Sequence, residues 1–159
     1  MKRISIVSTL LFLFLGSILV FAQTAAKPVF AGTWKLNVAK SKYTPGPTPK
    51  SQIAVIDSVD GGMKVVSDRV ESDGKTVHFE WTAKFDGKDY AVKGDPSRDM
   101  VSVKKVDDYN LEITNKKAGK VTTMIKAVYA KDGKTRVETV TGANAQGQAV
   151  NNVTAWDKQ

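Results

Sequence analysis

The sequence predicts an all-β domain, an antiparallel up-and-down meander closing into a barrel of about 8–10 strands. Three observations carry that expectation. Short glycine-containing turns recur along most of the chain, the runs between them alternate apolar with polar residues, and no stretch carries an amphipathic helical period.

The first segment is set aside before any fold is built. Lys2 and Arg3 precede an apolar run over residues 4–21, and Val20-Phe21-Ala22 ends it with small residues suited to cleavage. The run is long enough to span a bilayer, so an uncleaved anchor is the other reading. Its terminal position and Ala22 favour a signal peptide over residues 1–22, with export to a periplasmic or extracellular space and no integral membrane span after cleavage. Residues 23–29 form a leader, and residues 30–159 a single domain.

The chain has no cysteine, which excludes disulfides, thiolate metal sites, cysteine nucleophiles and a lipid anchor on cysteine. One histidine, His78, leaves no multi-histidine metal site, and no cofactor is expected. The net charge is +8; less the two cations of the signal segment, the domain keeps six. The lysines sit beside turns or alternate with apolar residues, as on a solvated face, and no basic-aromatic motif points to nucleic acid. Nothing in the chain specifies an oligomer, and a monomer is favoured.

The first strand is expected over residues 30–37, where Phe30, Gly32, Trp34 and Leu36 share one face. Residues 38–50 break the rhythm. Pro45, Pro47 and Pro49 cannot donate to a ladder, so this stretch reads as a long ordered loop, either a lid or a plain crossover. Turns then follow at Asp60-Gly61-Gly62, Asp73-Gly74-Lys75, Asp86-Gly87-Lys88, Ala118-Gly119-Lys120, Asp132-Gly133-Lys134 and Gln146-Gly147-Gln148, with Gly94-Asp95-Pro96 and Asp107-Asp108 between. Between them, Val77, Phe79, Trp81, Ala83 and Phe85 face one way, opposite His78 and Glu80. Leu111 and Ile113, then Ile125 and Ala127, repeat the pattern.

Strands with one apolar face bury it by closing into a barrel or by folding into a two-sheet sandwich. Short turns favour the meander, and closure removes exposed edges.

The placement of Gly32-Thr33-Trp34 at the head of such a meander resembles the Gly-x-Trp signature of the calycins, the lipocalins, fatty-acid-binding proteins and avidins. The run Phe30-x-Gly32-Thr33-Trp34-Lys35-Leu36 is most similar to the first strand of fatty-acid-binding proteins. The resemblance implies a ligand-holding barrel in which Trp34 plugs the closed end and Gly32 makes room. The chain also departs from those families. Its last strand has no Arg-x-Tyr pair for a ligand carboxylate and no arginine to stack on the tryptophan, leaving Lys158 as a stand-in, and the proline-rich loop replaces the helix pair.

No catalytic residue is expected. His78 falls on the outer face, and no nucleophile elbow, phosphate-cradling loop or convergent carboxylate pair is visible, so the chain reads as no enzyme. For binding, Arg69 shares a face with Met63, Val65 and Ser67; it holds an anionic ligand, or else sits at the barrel rim or pairs with Glu71. Phe79, Trp81, Tyr90, Tyr109 and Tyr129 are the aromatic candidates for a pocket and equally for plain core. Two functions stay open: a container for a small hydrophobic or amphipathic ligand, and a packed barrel acting through its outer surface as an envelope or interaction domain.

Overall fold

A computed structural model of the chain describes residues 27–144 and 146–159. The expected signal peptide and residues 23–26 of the leader lie outside the described residues. Ten strands follow in order: β1 Gly32–Lys42, β2 Ser51–Val59, β3 Gly62–Val70, β4 Thr76–Lys84, β5 Tyr90–Lys93, β6 Met100–Lys105, β7 Asn110–Lys117, β8 Lys120–Tyr129, β9 Thr135–Ala143 and β10 Ala149–Lys158. Each pairs antiparallel with the next, and β1 pairs with β10 to close the barrel. The turns follow the glycines: Gly61, Gly74, Gly87, Gly119, Gly133 and Gly147 all take φ between 64° and 92°, where L side chains are strained.

Both boundaries of the first strand differ from the sequence reading. β1 starts at Gly32, with Phe30 in the turn before it, and runs on to Lys42, so the loop expected over 38–50 shrinks to 43–50. The alternation does break, but a register shift between Asn37 and Lys42 absorbs it. Ser41 bridges the irregularity: its Oγ donates to Asn37 O at 2.7 Å and accepts from Ala155 N at 3.0 Å. Pairing resumes at Lys42 with Val153. The bulge keeps two strands joined where a strict ladder would have ended.

The meander sorts the connections to two ends. The chain's first described residues, the turns after β2, β4, β6 and β8, and the C-terminus gather at one. The loops after β1, β3, β5, β7 and β9 gather at the other. The first end is packed shut by Phe30, Trp34, Val101, Val103 and Leu111, all 4% exposed or less. The Phe30 and Phe85 rings meet edge to face there, 5.5 Å apart. The second end opens into the interior.

β9 inverts the usual polarity. Arg136 and Glu138 point inward, while Val137 between them is 43% exposed. That inversion supplies the barrel interior with charge.

Candidate functional site

The interior of the open half is a cavity of about 500 Å³. Ala54, Ile56, Val65, Phe79, Ile113 and Ile125 give it apolar walls from β2, β3, β4, β7 and β8. Tyr43, Pro47 and Pro49 of the 43–50 loop lie over its mouth.

The floor is built by register. Tyr129 of β8 lies opposite Arg136 of β9, which lies opposite Trp156 of β10, and Trp34 sits on the neighbouring β1. The Arg136 guanidinium is therefore stacked between two indoles, 4.4 Å from the Trp156 ring centre and 5.1 Å from that of Trp34. Its Nη1 donates to the Tyr129 hydroxyl at 3.2 Å, and its Nη2 lies 3.4 Å from Glu138 Oε1. Glu138 Oε2 accepts from Trp156 Nε1 at 3.1 Å and from Thr154 Oγ1 at 3.2 Å. Burial is the largest influence on the Arg136 pKa and lowers it, but Glu138 and Tyr129 together outweigh it and raise the pKa above its ordinary value. Burial likewise pushes the Tyr129 hydroxyl up.

Trp34 is fully buried, donates Nε1 to Phe30 O at 2.8 Å and meets Tyr129 edge to face at 5.4 Å. Gly32, at φ 137°, leaves space that Lys158 fills: a Cβ there would stand 2.5 Å from Lys158 Cε. The ammonium of Lys158 lies 5.2 Å from the Trp34 ring centre. Lys158 thus does stack on the tryptophan from the last strand, and Arg136 joins it from the strand before.

Nearer the mouth, two further guanidiniums converge on one ring. Arg98 lies 4.7 Å and Arg69 5.8 Å from the centre of Phe79. Arg69 pairs with Glu71 at 2.7 Å. Arg98 comes from the loop after β5; its Nη1 donates to Asn115 Oδ1 at 2.8 Å. Its Nε stands 3.1 Å from Asp95 Oδ2 as a charge contact without a straight hydrogen bond. The Asp95 side chain is only 1% exposed and accepts from both Ser97 N at 2.9 Å and Ser97 Oγ at 2.6 Å. Burial pushes the Asp95 carboxyl up, but Arg98 and the Ser97 bonds outweigh it and hold the group below its ordinary value. Across the opening, burial with help from Glu138 pushes the Tyr43 phenol up to about 12, so it stays protonated.

Of the residues singled out from sequence, Arg69, Phe79, Trp81 and Tyr129 line this cavity. Tyr90 and Tyr109 do not. Tyr90 starts β5 near the closed end and donates its hydroxyl to Asp86 Oδ2 at 3.0 Å. Tyr109 sits in the turn between β6 and β7, at that same end. Alternation alone cannot tell the two ends of a strand apart, which is why both looked equivalent to the others. His78 lies outside, beside Asp68 at 2.7 Å. Missed by sequence were Tyr43, Asp95, Arg98, Arg136 and Glu138. The first three sit in loops, where no face can be assigned, and the last two on the inverted strand.

No family model matches the chain, and no curated protein matches it in sequence. Among solved structures, zebrafish ileal bile acid-binding protein complexed with cholic acid is similar, with a TM-score of 0.50 and 16% identity over 82% of this chain and 99% of that one. The likeness is one of fold, and it agrees with the placement of Gly32 and Trp34 on the first strand of the meander. The chain folds as a closed, ten-stranded antiparallel barrel, similar in fold to that protein.

Proposed function

We propose that this protein is an exported, non-enzymatic carrier that holds one small apolar or amphipathic molecule inside its barrel, in the periplasm or outside the cell. The observation that carries the reading is the cavity of about 500 Å³, within the range of small-molecule sites and absent from a barrel packed with its own side chains. Its walls combine aliphatic and aromatic side chains with about as many polar ones, a mixture that can solvate an apolar body and orient a polar end. The similar zebrafish barrel carries cholic acid, an amphipathic molecule, which is consistent with this use of the fold. The acidic groups of the interior are tied to arginines and to Ser97, Thr154 and Trp156, an arrangement that positions charges rather than freeing one for proton transfer.

Native mass spectrometry of the protein purified from its own host tests the reading. A mass excess of a few hundred daltons, lost on solvent extraction, is the expected result. Protein that is invariably ligand-free and takes up no hydrophobic probe would refute it.

A further inference from the structure

Six of the seven charged side chains that line the cavity are joined in ion pairs. Three guanidiniums face three carboxylates: Arg69 with Glu71 at 2.7 Å, Arg98 with Asp95 at 3.1 Å, and Arg136 with Glu138 at 3.4 Å. From this we infer that the molecule held here has an uncharged polar end, a hydroxyl or carbonyl of a neutral amphipath, and not a carboxylate. The inference rests on the proposed carrier function and narrows its ligand.

Two features oppose an anion. First, the inner carboxylates cannot be moved aside. Asp95 accepts from Ser97 twice and Glu138 accepts from Trp156 and Thr154. An anionic head seeking Arg98 or Arg136 would have to approach a fixed negative charge, with its own desolvation uncompensated. Second, each guanidinium already faces a carboxylate of its own, so none of the three is left as an unpaired cation for an anionic head. Lys117, exposed at the rim, is the one further lining cation.

A neutral polar end meets the opposite situation. Arg69 uses Nε on Glu71, and no described residue accepts from its two terminal nitrogens. Gln52 donates Nε2 to Ser67 Oγ at 3.0 Å, which leaves its carbonyl oxygen to accept from a hydroxyl. The protonated Tyr43 phenol adds a further donor above. These groups bond a hydroxyl or carbonyl without disturbing any ion pair, and Phe79 beneath the two guanidiniums supports the first part of an apolar chain.

The test is competition between monolaurin and laurate, which share a chain and differ in their heads, each displacing a neutral fluorescent probe at neutral pH. Monolaurin should bind at least about tenfold more tightly, a difference of about 1.4 kcal/mol. In Glu71→Gln, a change at the half-buried rim that frees Arg69 of its partner, the preference for monolaurin over laurate should fall several-fold, and an undiminished preference would count against the inference. Laurate binding as well as monolaurin, or better, in the unmodified protein would overturn the inference while leaving the carrier reading in place. Failure of both, with no probe uptake, would overturn the carrier reading and take the inference with it.

Discussion

The two ends of the barrel are made from the same kinds of side chain and come out differently. At the floor, Arg136 is wedged between Trp34 and Trp156, bonded to Tyr129 and paired with Glu138, with 5% of its side chain exposed. Near the mouth, Arg69 lies against Phe79 and pairs with Glu71, but keeps 22% exposure. The residue types match; the number of aromatic faces does not. Two indoles fill the space around the lower guanidinium, while a single phenyl ring serves both upper ones. An arginine that is sandwiched and multiply bonded closes a barrel. One that is covered on one side leaves room above it.

That contrast can be broken from the floor upward. Trp34→Ala removes the ring that Arg136, Lys158 and Tyr129 all pack on, and should lower the stability by about 3–5 kcal/mol in denaturant unfolding. Asp95→Ala should cost about 3 kcal/mol, because it strands the buried Arg98 charge. Gly32→Ala forces a side chain onto φ 137° and against Lys158, and an expected loss of about 1–3 kcal/mol is read from the same unfolding curves. Glu71→Gln at the mouth should cost less than about 1 kcal/mol, because its pair is partly exposed and screened. If the mouth variant proved as damaging as the floor variant, the distinction between the two ends would fail.

Acid sharpens the same comparison. The Asp95 carboxyl titrates lower in the folded protein than in the unfolded chain, so it contributes stability above its ordinary value of 3.8. That contribution is lost as the pH falls from there through the lower folded value. Asp95→Asn should therefore flatten the decline of stability in that acid window and change little in the pH dependence near neutrality, as thermal unfolding across pH would show.

The container was more legible in the sequence than its contents. Asp-Gly and related turns and the alternation in β4 and β7 specify strands and faces directly, and Gly32-x-Trp34 sets the end that is plugged. Those signals are local, and hydrogen bonding to the next strand follows from them. The polar interior is not local. Arg136 and Glu138 share a parity that an apolar-inward rule assigns to solvent, because Val137 between them looks like the core residue. Asp95 and Arg98 lie in a turn without periodicity, and only the folded barrel carries Arg98 over Phe79. Arg69 was found because β3 keeps the ordinary polarity, with Met63, Val65 and Ser67 on its face.

If the open half of this barrel is a binding cavity, filling it must abolish uptake of a probe. Val140 of β9 lines the cavity and is not among the fully buried residues, so Val140→Trp should occupy the space while the fold survives. Saturable one-to-one uptake of a neutral hydrophobic probe is expected for the unmodified protein, with Kd tighter than about 10⁻⁴ M, or about −5.5 kcal/mol, and loss of that uptake in the variant. Equal uptake by both proteins, or none by either, would contradict it.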